Sequence, residues 1–354
     1  MSLPAFLVQA QLLSFEYGGL ERTYLLHIPA NYDEDTTHPL VLNLHGLGSN
    51  AYEQLFYSQF NQVADTAGIV VAYPNGVDNI WNIAFEEGVD DVGFLSALID
   101  TISANFNIDS YRVYATGMSM GGFMCHRLAC QLNDQIAAVA SVTGTLAYPN
   151  CNPGRPVPVM QIHGTADSTV PYLLVPPTMA VWISQNECTD TTTVDLPDID
   201  TTDQCTVTKS VYAPCDEEVE VVLYTINGGG HTWPGAPIQI GITCYDIDGS
   251  TEIWNFFRQY TLPAITSVES MESPSARLKI YPQPASEVLY IQLPEPHQGL
   301  LDIRVYDLSG RMIRAEQGMY GQPVIFPCAD MKAGIYIFEI LSAKGSYREK
   351  VLVR

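Results

Sequence analysis

The amino-acid sequence predicts an α/β protein with a mostly parallel central sheet, followed by a small all-β sandwich. Between residues 23 and 260, apolar runs rich in β-branched residues alternate with segments of helical periodicity. This alternation is typical of a parallel sheet covered by helices on both faces. After a polar linker at 263–276, only short alternating runs separated by turns with Gly or Pro remain. Such runs indicate an antiparallel sandwich.

Seven of the apolar runs are predicted strands of the central sheet. They are 23–28, 40–45, 69–73, 112–116, 137–143, 157–163 and 219–227. Helices are predicted at 91–106, 121–132 and 250–260, where apolar residues recur on one helical face. In a sheet of this kind, reactive side chains lie at the carboxyl ends of the strands.

The charge distribution supports a division into two folding units. The chain of 354 residues has a formal net charge of −23, which argues against nucleic acid or an anionic membrane as a partner. Residues 277–354 carry +2, whereas the part before them carries −25. We therefore predict an N-terminal segment at 1–10, a large domain at 11–262, the linker at 263–276 and a β-sandwich domain at 277–354.

The termini and cysteines indicate the compartment. Residues 1–10 are apolar and end with small residues like the remnant of a signal peptide; an ordinary N-terminal strand is the alternative. No stretch approaches the ~20 apolar residues of a transmembrane segment. Eight cysteines without a CxxC pair favour disulfides and an oxidising compartment. Buried thiols are the alternative, above all for Cys125 and Cys130.

Residues 187–218 are rich in Thr and Asp and have no apolar period. We predict an irregular surface segment that is bounded by Cys188 and Cys215 and held by a disulfide. Calcium binding by its aspartates is an alternative to a solvated acidic loop. No histidine pair has helical metal-ligand spacing, and we expect neither a metal nor a cofactor.

The segment Gly117-Met118-Ser119-Met120-Gly121 contains the candidate nucleophile. Attack on a carbonyl needs a serine raised above the sheet on a cramped strand-to-helix turn, and flanking glycines let the backbone pack that tightly. The pattern is weak alone, but here it follows a predicted strand and begins a predicted helix. We therefore predict Ser119 as the nucleophile.

A serine nucleophile needs a histidine to take its proton and a carboxylate to orient that histidine. Asp167 follows the strand at 157–163, and His231 lies in a glycine-rich segment after the strand at 219–227. Both occur in the chain order Ser, acid, His. A turn role for Asp167 and a packed loop role for His231 are the alternatives. His163 is a rival base, but its place at the end of a buried strand favours a structural role.

An oxyanion hole requires two backbone N–H groups directed at the developing negative charge. We assign these to Met120, directly after the nucleophile, and to Leu47 in the glycine-rich loop after the strand at 40–45. Residues in loops on the same edge are candidates for substrate binding. They are Trp81, Asn82, Trp182 and Trp233, with core packing an equally good account of Trp182.

These motifs resemble the polyhydroxybutyrate-depolymerase and feruloyl or acetylxylan esterase family of α/β-hydrolases. The resemblance covers about residues 14–260 and rests on His45-Gly46, the segments at 90–94 and 112–122, His163-Gly164-Thr165-Ala166-Asp167 and the GGGHTWPG segment at 228–235. It implies the α/β-hydrolase fold, the triad Ser119, Asp167 and His231, and extracellular hydrolysis of esters in polymers. Met120 and Leu47 depart from the residues that relatives often carry, which puts the acyl pocket in question.

The C-terminal part resembles the sorting domains of the type IX secretion system. The matching segments lie at 280–285, 305–311, 333–336 and 350–354, with Gln283 where Asn is usual. The resemblance implies the type IX machinery as a partner, with export through the periplasm to the cell surface or medium. A carbohydrate-binding module is the alternative.

Together these observations predict a secreted serine carboxylic-ester hydrolase acting on polymeric or small esters through an acyl-enzyme. Feruloyl or acetyl esters of plant polysaccharide are slightly favoured over polyhydroxybutyrate or another polyester. An inactive surface carbohydrate-binding protein is the more distant alternative.

Overall fold

The computed structural model describes residues 10–85, 87–262, 279–293, 301–307, 311–319, 323–342 and 345–354. The chain forms two compact units, Met1–Ala264 and Ile265–Arg354. The predicted signal segment lies outside the described residues except for its last position, and the predicted linker at 263–276 lies outside them entirely.

The first unit contains a ten-stranded sheet in the order β1-β2-β4-β3-β5-β6-β7-β10-β9-β8. The six central strands from β4 to β10 run parallel, and the outer strands at both edges pair antiparallel. The strands are β1 (Gln11–Tyr17), β2 (Leu20–His27), β3 (His38–Leu44), β4 (Val70–Pro74), β5 (Ile108–Met118), β6 (Ala138–Val142), β7 (Val159–Gly164), β8 (Thr191–Asp195), β9 (Thr206–Tyr212) and β10 (Val221–Asn227). This is the sheet of an α/β-hydrolase, as predicted.

Six α-helices cover the two faces of this sheet. They are α1 (Ala51–Ser58), α2 (Phe60–Ala67), α3 (Asp91–Ser103), α4 (Met120–Gln131), α5 (Val175–Gln185) and α6 (Gly249–Phe257). Apolar side chains of α3, α4 and α5 form one core with one face of the strands, and those of α1, α2 and α6 form a second core with the other face. In β3, for example, Leu40 and Leu42 face the first core and Val41 the second.

The local sequence explains why these elements form. Strands β3, β4, β6 and β7 are buried along their whole length, so they read as continuous apolar runs without alternation. Helix α3 begins where the side chain of Asp90 accepts a hydrogen bond from the Gly93 N–H, and Asn50 caps α1 in the same way. The three predicted helices are present as α3, α4 and α6, whereas α1, α2 and α5 are not among the predicted helices. Helices α1 and α2 are only eight residues long.

The segment at 187–218 corrects one prediction. It contains β8 and β9, which extend the sheet from β10, and is therefore not irregular. Every residue of β8 is exposed, so this strand has no apolar alternation to reveal it. A disulfide holds the segment, as predicted, and it joins Cys188 to Cys215, the two cysteines that bound it.

Cysteine pairing gives a second correction. Cys130 bonds to Cys151 and is not a buried thiol, whereas Cys125 is free and buried. Cys130 is in the last turn of α4, and Cys151 lies in the loop after β6. The bond therefore links the end of this helix to that loop. Two disulfides within one unit agree with folding in an oxidising compartment.

The second unit is a β-sandwich of two antiparallel sheets with the orders β11-β12-β15 and β14-β13-β16-β17. Its strands are β11 (Lys279–Tyr281), β12 (Val288–Gln292), β13 (Leu301–Tyr306), β14 (Met312–Met319), β15 (Val324–Pro327), β16 (Gly334–Ser342) and β17 (Gly345–Val353). Leu289 and Phe326 from one sheet and Ile303 and Phe338 from the other share a single core. Among the described helices of the whole chain, none has the length and apolar character needed to cross a membrane.

Candidate active site

Ser119 occupies the turn between β5 and α4 with φ 56° and ψ −120°, a left-handed φ that is uncommon for residues with a side chain. Its N–H donates to the Val142 carbonyl oxygen at 2.8 Å, which ties the turn to β6. A methyl group at Gly121 would collide with the Leu44 carbonyl oxygen at the end of β3. The bond to β6 and the close packing of Gly121 against the end of β3 therefore hold Ser119 in its strained conformation.

Asp167 lies in the loop after β7, and its side chain is fully buried. One carboxylate oxygen accepts the backbone N–H groups of Thr169 and Val170, each at 2.8 Å. The other accepts from Nδ1 of His231 at 2.7 Å and lies 3.3 Å from Nε2 of His163. Four donors from three parts of the chain thus surround this one carboxylate.

These contacts determine the charge of Asp167. Burial alone raises the pKa of a carboxyl group, but hydrogen bonds from His163, His231 and the Val170 N–H outweigh burial, and the pKa of Asp167 is well below its ordinary value. The group is therefore a carboxylate at neutral pH. A carboxylate accepts hydrogen bonds only, so the proton of the bond to His231 resides on Nδ1.

His231 lies in the loop after β10. Because Nδ1 holds the proton of the bond to Asp167, the neutral imidazole has no proton on its other ring nitrogen, Nε2. His231 and Ser119 both line one cavity of about 370 Å³. The imidazole is partly exposed, at 19%. A histidine and a serine thus line the same cavity, as general-base activation of an alcohol would require.

Close packing of two loops brings Asp167 and His231 together. Strands β7 and β10 pair in parallel, with Thr225 opposite His163, so the loops that follow the two strands leave the sheet at the same edge. A side chain at Gly164 would collide with the Gly229 carbonyl oxygen. The absence of a side chain at residue 164 is what permits the 2.7 Å bond between the two loops.

The loop after β3 lies against Ser119. An added methyl at Gly46 would be 3.4 Å from the Ser119 Cβ, and Leu47 next to it is 62% exposed and lines the cavity. Met120 is the first residue of α4, where backbone N–H groups have no acceptor within the helix. The two predicted N–H donors are therefore on segments that flank Ser119.

His45 positions this loop, a role that the sequence interpretation missed. Its Nδ1 donates to the Gly46 carbonyl oxygen at 2.7 Å, and its Nε2 accepts from the Gly76 N–H at 3.0 Å. Burial lowers the pKa of His45, which keeps the ring neutral and its acceptor nitrogen available. The signal in the sequence was a histidine at the end of a buried strand, directly before a glycine.

The structure corrects the predicted substrate-binding residues. Trp81, Trp182 and Trp233 are at most 1% exposed and lie within the two cores, so their rings cannot contact a substrate in the cavity. Asn82 uses its side chain to bind backbone groups of its own loop. Large aromatic residues are favoured in cores for the apolar area that they bury, which a loop position does not reveal.

Other residues form the apolar wall of the cavity. They are Phe56 and Tyr57 of α1 and Ile238 and Ile240 of the loop after β10. Phe56 is 51% exposed and Ile240 is 60% exposed, a pair of large apolar side chains open to solvent at the same site. Neither segment has a periodicity from which this role could be predicted.

The fold and these side chains define an α/β-hydrolase, and comparison with known proteins defines its type. Residues 22–172 match the family described as Esterase PHB depolymerase, and residues 279–354 match the secretion system C-terminal sorting domain. The chain is 30% identical over 249 residues to the bifunctional acetylxylan esterase/xylanase XynS20E of Neocallimastix patriciarum, a match covering 69% of this chain and 34% of that protein. It is also 30% identical over 244 residues to feruloyl esterase C of Emericella nidulans, covering 67% of this chain and 83% of the relative.

A solved structure agrees in fold. The acetyl xylan esterase from Aspergillus awamori superposes with a TM-score of 0.51 at 15% identity, covering 67% of this chain and 94% of that structure. The chain spans only a third of the first relative's length but most of the second. The chain belongs to the PHB depolymerase and feruloyl or acetylxylan esterase family and carries a C-terminal sorting domain, as the resemblances implied.

We expect a side chain at residue 121 to destabilise the protein. The substitution Gly121→Ala forces a methyl against the Leu44 carbonyl oxygen, which should lower the free energy of unfolding by about 1–3 kcal/mol. Gly154→Ala is the matched control, because its new methyl would have only the Asn133 side chain, at 3.9 Å, in reach and should change stability by less than about 0.5 kcal/mol. Urea unfolding of both variants measures the difference, and equal stabilities would contradict the close packing described here.

Proposed function

We propose that the protein is a secreted carboxylic-ester hydrolase that works through an acyl-enzyme on Ser119. The observation that carries this proposal is the 2.7 Å hydrogen bond between Asp167 and His231, together with the cavity that His231 shares with Ser119. The family membership of the chain supports the same activity.

The proposed reaction begins with attack of the Ser119 hydroxyl oxygen on the ester carbonyl while Nε2 of His231 takes the hydroxyl proton. The backbone N–H groups of Met120 and Leu47 donate to the oxyanion of the tetrahedral intermediate. His231 then gives its proton to the departing alcohol, which leaves the acyl group on Ser119. Water activated by His231 releases the acid by the reverse sequence, and Asp167 stabilises the imidazolium formed in each half.

Removal of the nucleophile tests the mechanism. We expect Ser119→Ala to lower kcat on p-nitrophenyl acetate by about 10⁴-fold or more with the fold intact, because the variant lacks the hydroxyl that forms the acyl-enzyme. A fluorophosphonate probe should label the parent protein and not the variant. Ser184→Ala, an exposed serine on α5, is the control and should retain full activity. Turnover within tenfold of the parent in the Ser119 variant would refute the assignment, and an unlabelled, inactive parent would favour a binding protein.

For the substrate, we propose feruloyl or acetyl esters of plant polysaccharide. Two observations support this choice over a polyester. Feruloyl esterase C is a relative that the chain covers over most of its length, and the cavity has an apolar wall formed by Phe56, Tyr57, Ile238 and Ile240. A flat aromatic acyl group buries apolar area against such a wall. Polyhydroxybutyrate remains the alternative substrate because the family that matches residues 22–172 is described as Esterase PHB depolymerase.

A substrate panel separates these alternatives. We expect the purified protein to release acid from methyl ferulate or acetylated xylan with a kcat/KM at least about 100-fold above that for polyhydroxybutyrate, since about 3 kcal/mol of selective acyl binding gives that ratio. The Ser119→Ala variant assayed on the same panel corrects for spontaneous hydrolysis. Preferential release of hydroxybutyrate would reverse the substrate assignment without affecting the mechanism.

We further propose that the C-terminal unit directs export through the type IX machinery by way of the periplasm. The sorting-domain match at 279–354 and the two disulfides of the first unit support a route through an oxidising compartment. The protein would then act at the cell surface or in the medium, where polymeric esters are accessible.

A further inference from the structure

Two cysteines that are free in the structure lie next to each other, and one of them is in the connection that carries His231. The Cys205 and Cys244 sulfur atoms and a carboxylate oxygen of Asp203 all lie within 4.8 Å of one another, and all three residues are buried. Cys205 directly precedes β9, and Cys244 follows His231 in the connection between β10 and α6. The two segments are distant in sequence and meet only through the fold.

We propose that Cys205 and Cys244 form a third disulfide that fixes the His231 loop to the start of β9. In this reaction the two S–H bonds break and one S–S bond forms. The two protons and two electrons pass to a disulfide oxidant, such as an exchange protein or oxidised glutathione, which is reduced to its thiols. The sulfur atoms lie within 4.8 Å of each other, against about 2 Å in a disulfide, so they must approach by less than about 3 Å to form the bond.

The surroundings favour a disulfide over a metal ion. Both oxygens of Asp203 already accept backbone N–H groups, from Cys205 at 2.8 Å and Tyr245 at 2.7 Å, so this carboxylate is engaged in holding the two segments together. Burial raises the pKa of Cys205 to about 11 and that of Cys244 to about 12, which disfavours the thiolates that a metal needs. Oxidation would therefore occur while the chain folds, before the thiols are buried.

The bond would act on the proposed base through the backbone. The Cys244 carbonyl oxygen accepts the Gly235 N–H at 2.9 Å, and the Ile242 carbonyl oxygen accepts the Gly230 N–H at 2.9 Å. The segment at 242–244 thus supports the turn around His231 on both sides. The role of His231 as the base rests on the proposed function, whereas the Cys205–Cys244 bond itself does not.

Peptide mapping of the full-length protein exported to an oxidising compartment tests the bond directly. With free thiols blocked under denaturing conditions, we expect a linked pair of peptides containing Cys205 and Cys244, and alkylation of Cys125 and Cys328 alone. Alkylation of all four cysteines that are free in the structure would overturn the proposal. Stoichiometric zinc in the native protein, released when these thiols are blocked, would also overturn it and indicate a metal site.

A double-mutant cycle gives an independent measurement. If the bond exists, Cys205→Ser, Cys244→Ser and the double variant should all lower Tm by a similar amount, about 5 °C or more, because losing either partner removes the whole bond. Independent, additive shifts would contradict it. Dithiothreitol should lower the Tm of the parent more than that of the double variant, which retains the other two disulfides. Equal shifts would contradict the bond.

A second, independent observation is a buried hydrogen-bond relay that ends at Asp167. Nε1 of Trp182 donates to Nδ1 of His126 at 3.0 Å, and Nε2 of His126 bonds to Oε1 of Gln161 at 3.0 Å. Nε2 of Gln161 then bonds to Nδ1 of His163 at 3.1 Å. The four side chains are fully buried.

Groups with a single hydrogen-bonding role fix the directions along the relay. The Trp182 indole N–H can only donate, whereas the carbonyl oxygens of Gly144 and Val170 can only accept, from Nε2 of Gln161 and Nε2 of His163. His126 must therefore accept at Nδ1 and hold its proton on Nε2, and Gln161 must accept with its oxygen and donate with its nitrogen. This leaves Nδ1 of His163 an acceptor and Nε2 protonated. Nε2 donates to the Val170 carbonyl oxygen at 2.8 Å and faces Oδ2 of Asp167 at 3.3 Å. Burial lowers the pKa of His126 to about 4, so the ring stays neutral.

The geometry points to Trp182, His126, Gln161 and His163 as positioning residues for Asp167, a role that rests on the proposed function. By holding His163 in the Nε2–H form, the relay presents a donor to the carboxylate and fixes the loop that carries it. The opposite tautomer would place a lone pair against the Asp167 charge, a repulsive contact in a buried site.

The isosteric substitution Gln161→Glu tests the relay, because a carboxylate cannot donate to Nδ1 of His163. We expect ¹⁵N NMR of the parent to show His163 protonated on Nε2 and not on Nδ1, and the variant to show a proton on Nδ1. We expect kcat to fall about 10-fold, with KM changed less than twofold, since a positioning group acts on the reacting geometry. Gln135→Glu, outside the relay, is the control and should change neither.

Three results would overturn the relay: Nδ1 protonation of His163 in the parent, an unchanged His163 spectrum in the Gln161 variant, or parental kcat in that variant. The NMR readout does not depend on turnover. Failure of the relay is therefore distinguishable from failure of the proposed esterase mechanism, which the Ser119 variant tests.

Discussion

The buried negative charge of Asp167 is the constraint on which the rest of the site depends. An ionised carboxylate withdrawn from water is costly unless it is hydrogen-bonded, and here donors from the end of β7, the loop at 169–170 and the loop after β10 all meet it. These donors converge only if β7 and β10 are neighbours in register, as their parallel pairing provides. The charge thus links the order of strands in the sheet to the orientation of a single imidazole.

A second constraint acts on Ser119, the proposed nucleophile. Ser119 adopts a left-handed φ that costs free energy, and the surrounding packing must offset that cost. The offset comes from the bond to Val142 and from the close approach of α4 to the end of β3. The same approach brings the loop with Gly46 and Leu47 alongside Ser119, so the strain, the packing and the proposed oxyanion donors arise from one arrangement of β3, β5 and α4.

Much of this arrangement was predictable from the sequence because it follows local rules. Buried parallel strands read as apolar runs, and each proposed triad residue lies within four residues of the end of such a strand. The polar strand β8 could not be predicted, because all of its residues are exposed and alternation is absent. The substrate wall could not be predicted either. Ile240 lies in a loop without periodicity, whereas Trp182, which looked suitable by residue type, is a core residue whose N–H is committed to His126.

The loop after β10 carries two functions at once, and this limits how each can vary. It supplies the proposed base, His231, and through Ile238 and Ile240 it supplies part of the wall that an acyl group would contact. Backbone bonds from Gly230 to Ile242 and from Gly235 to Cys244 enclose these positions in one folded loop. A change that reshapes the wall by moving the backbone also moves the imidazole relative to Asp167. Specificity in this protein is therefore expected to vary through side-chain exchange at 238 and 240 or on α1, with the loop backbone kept fixed.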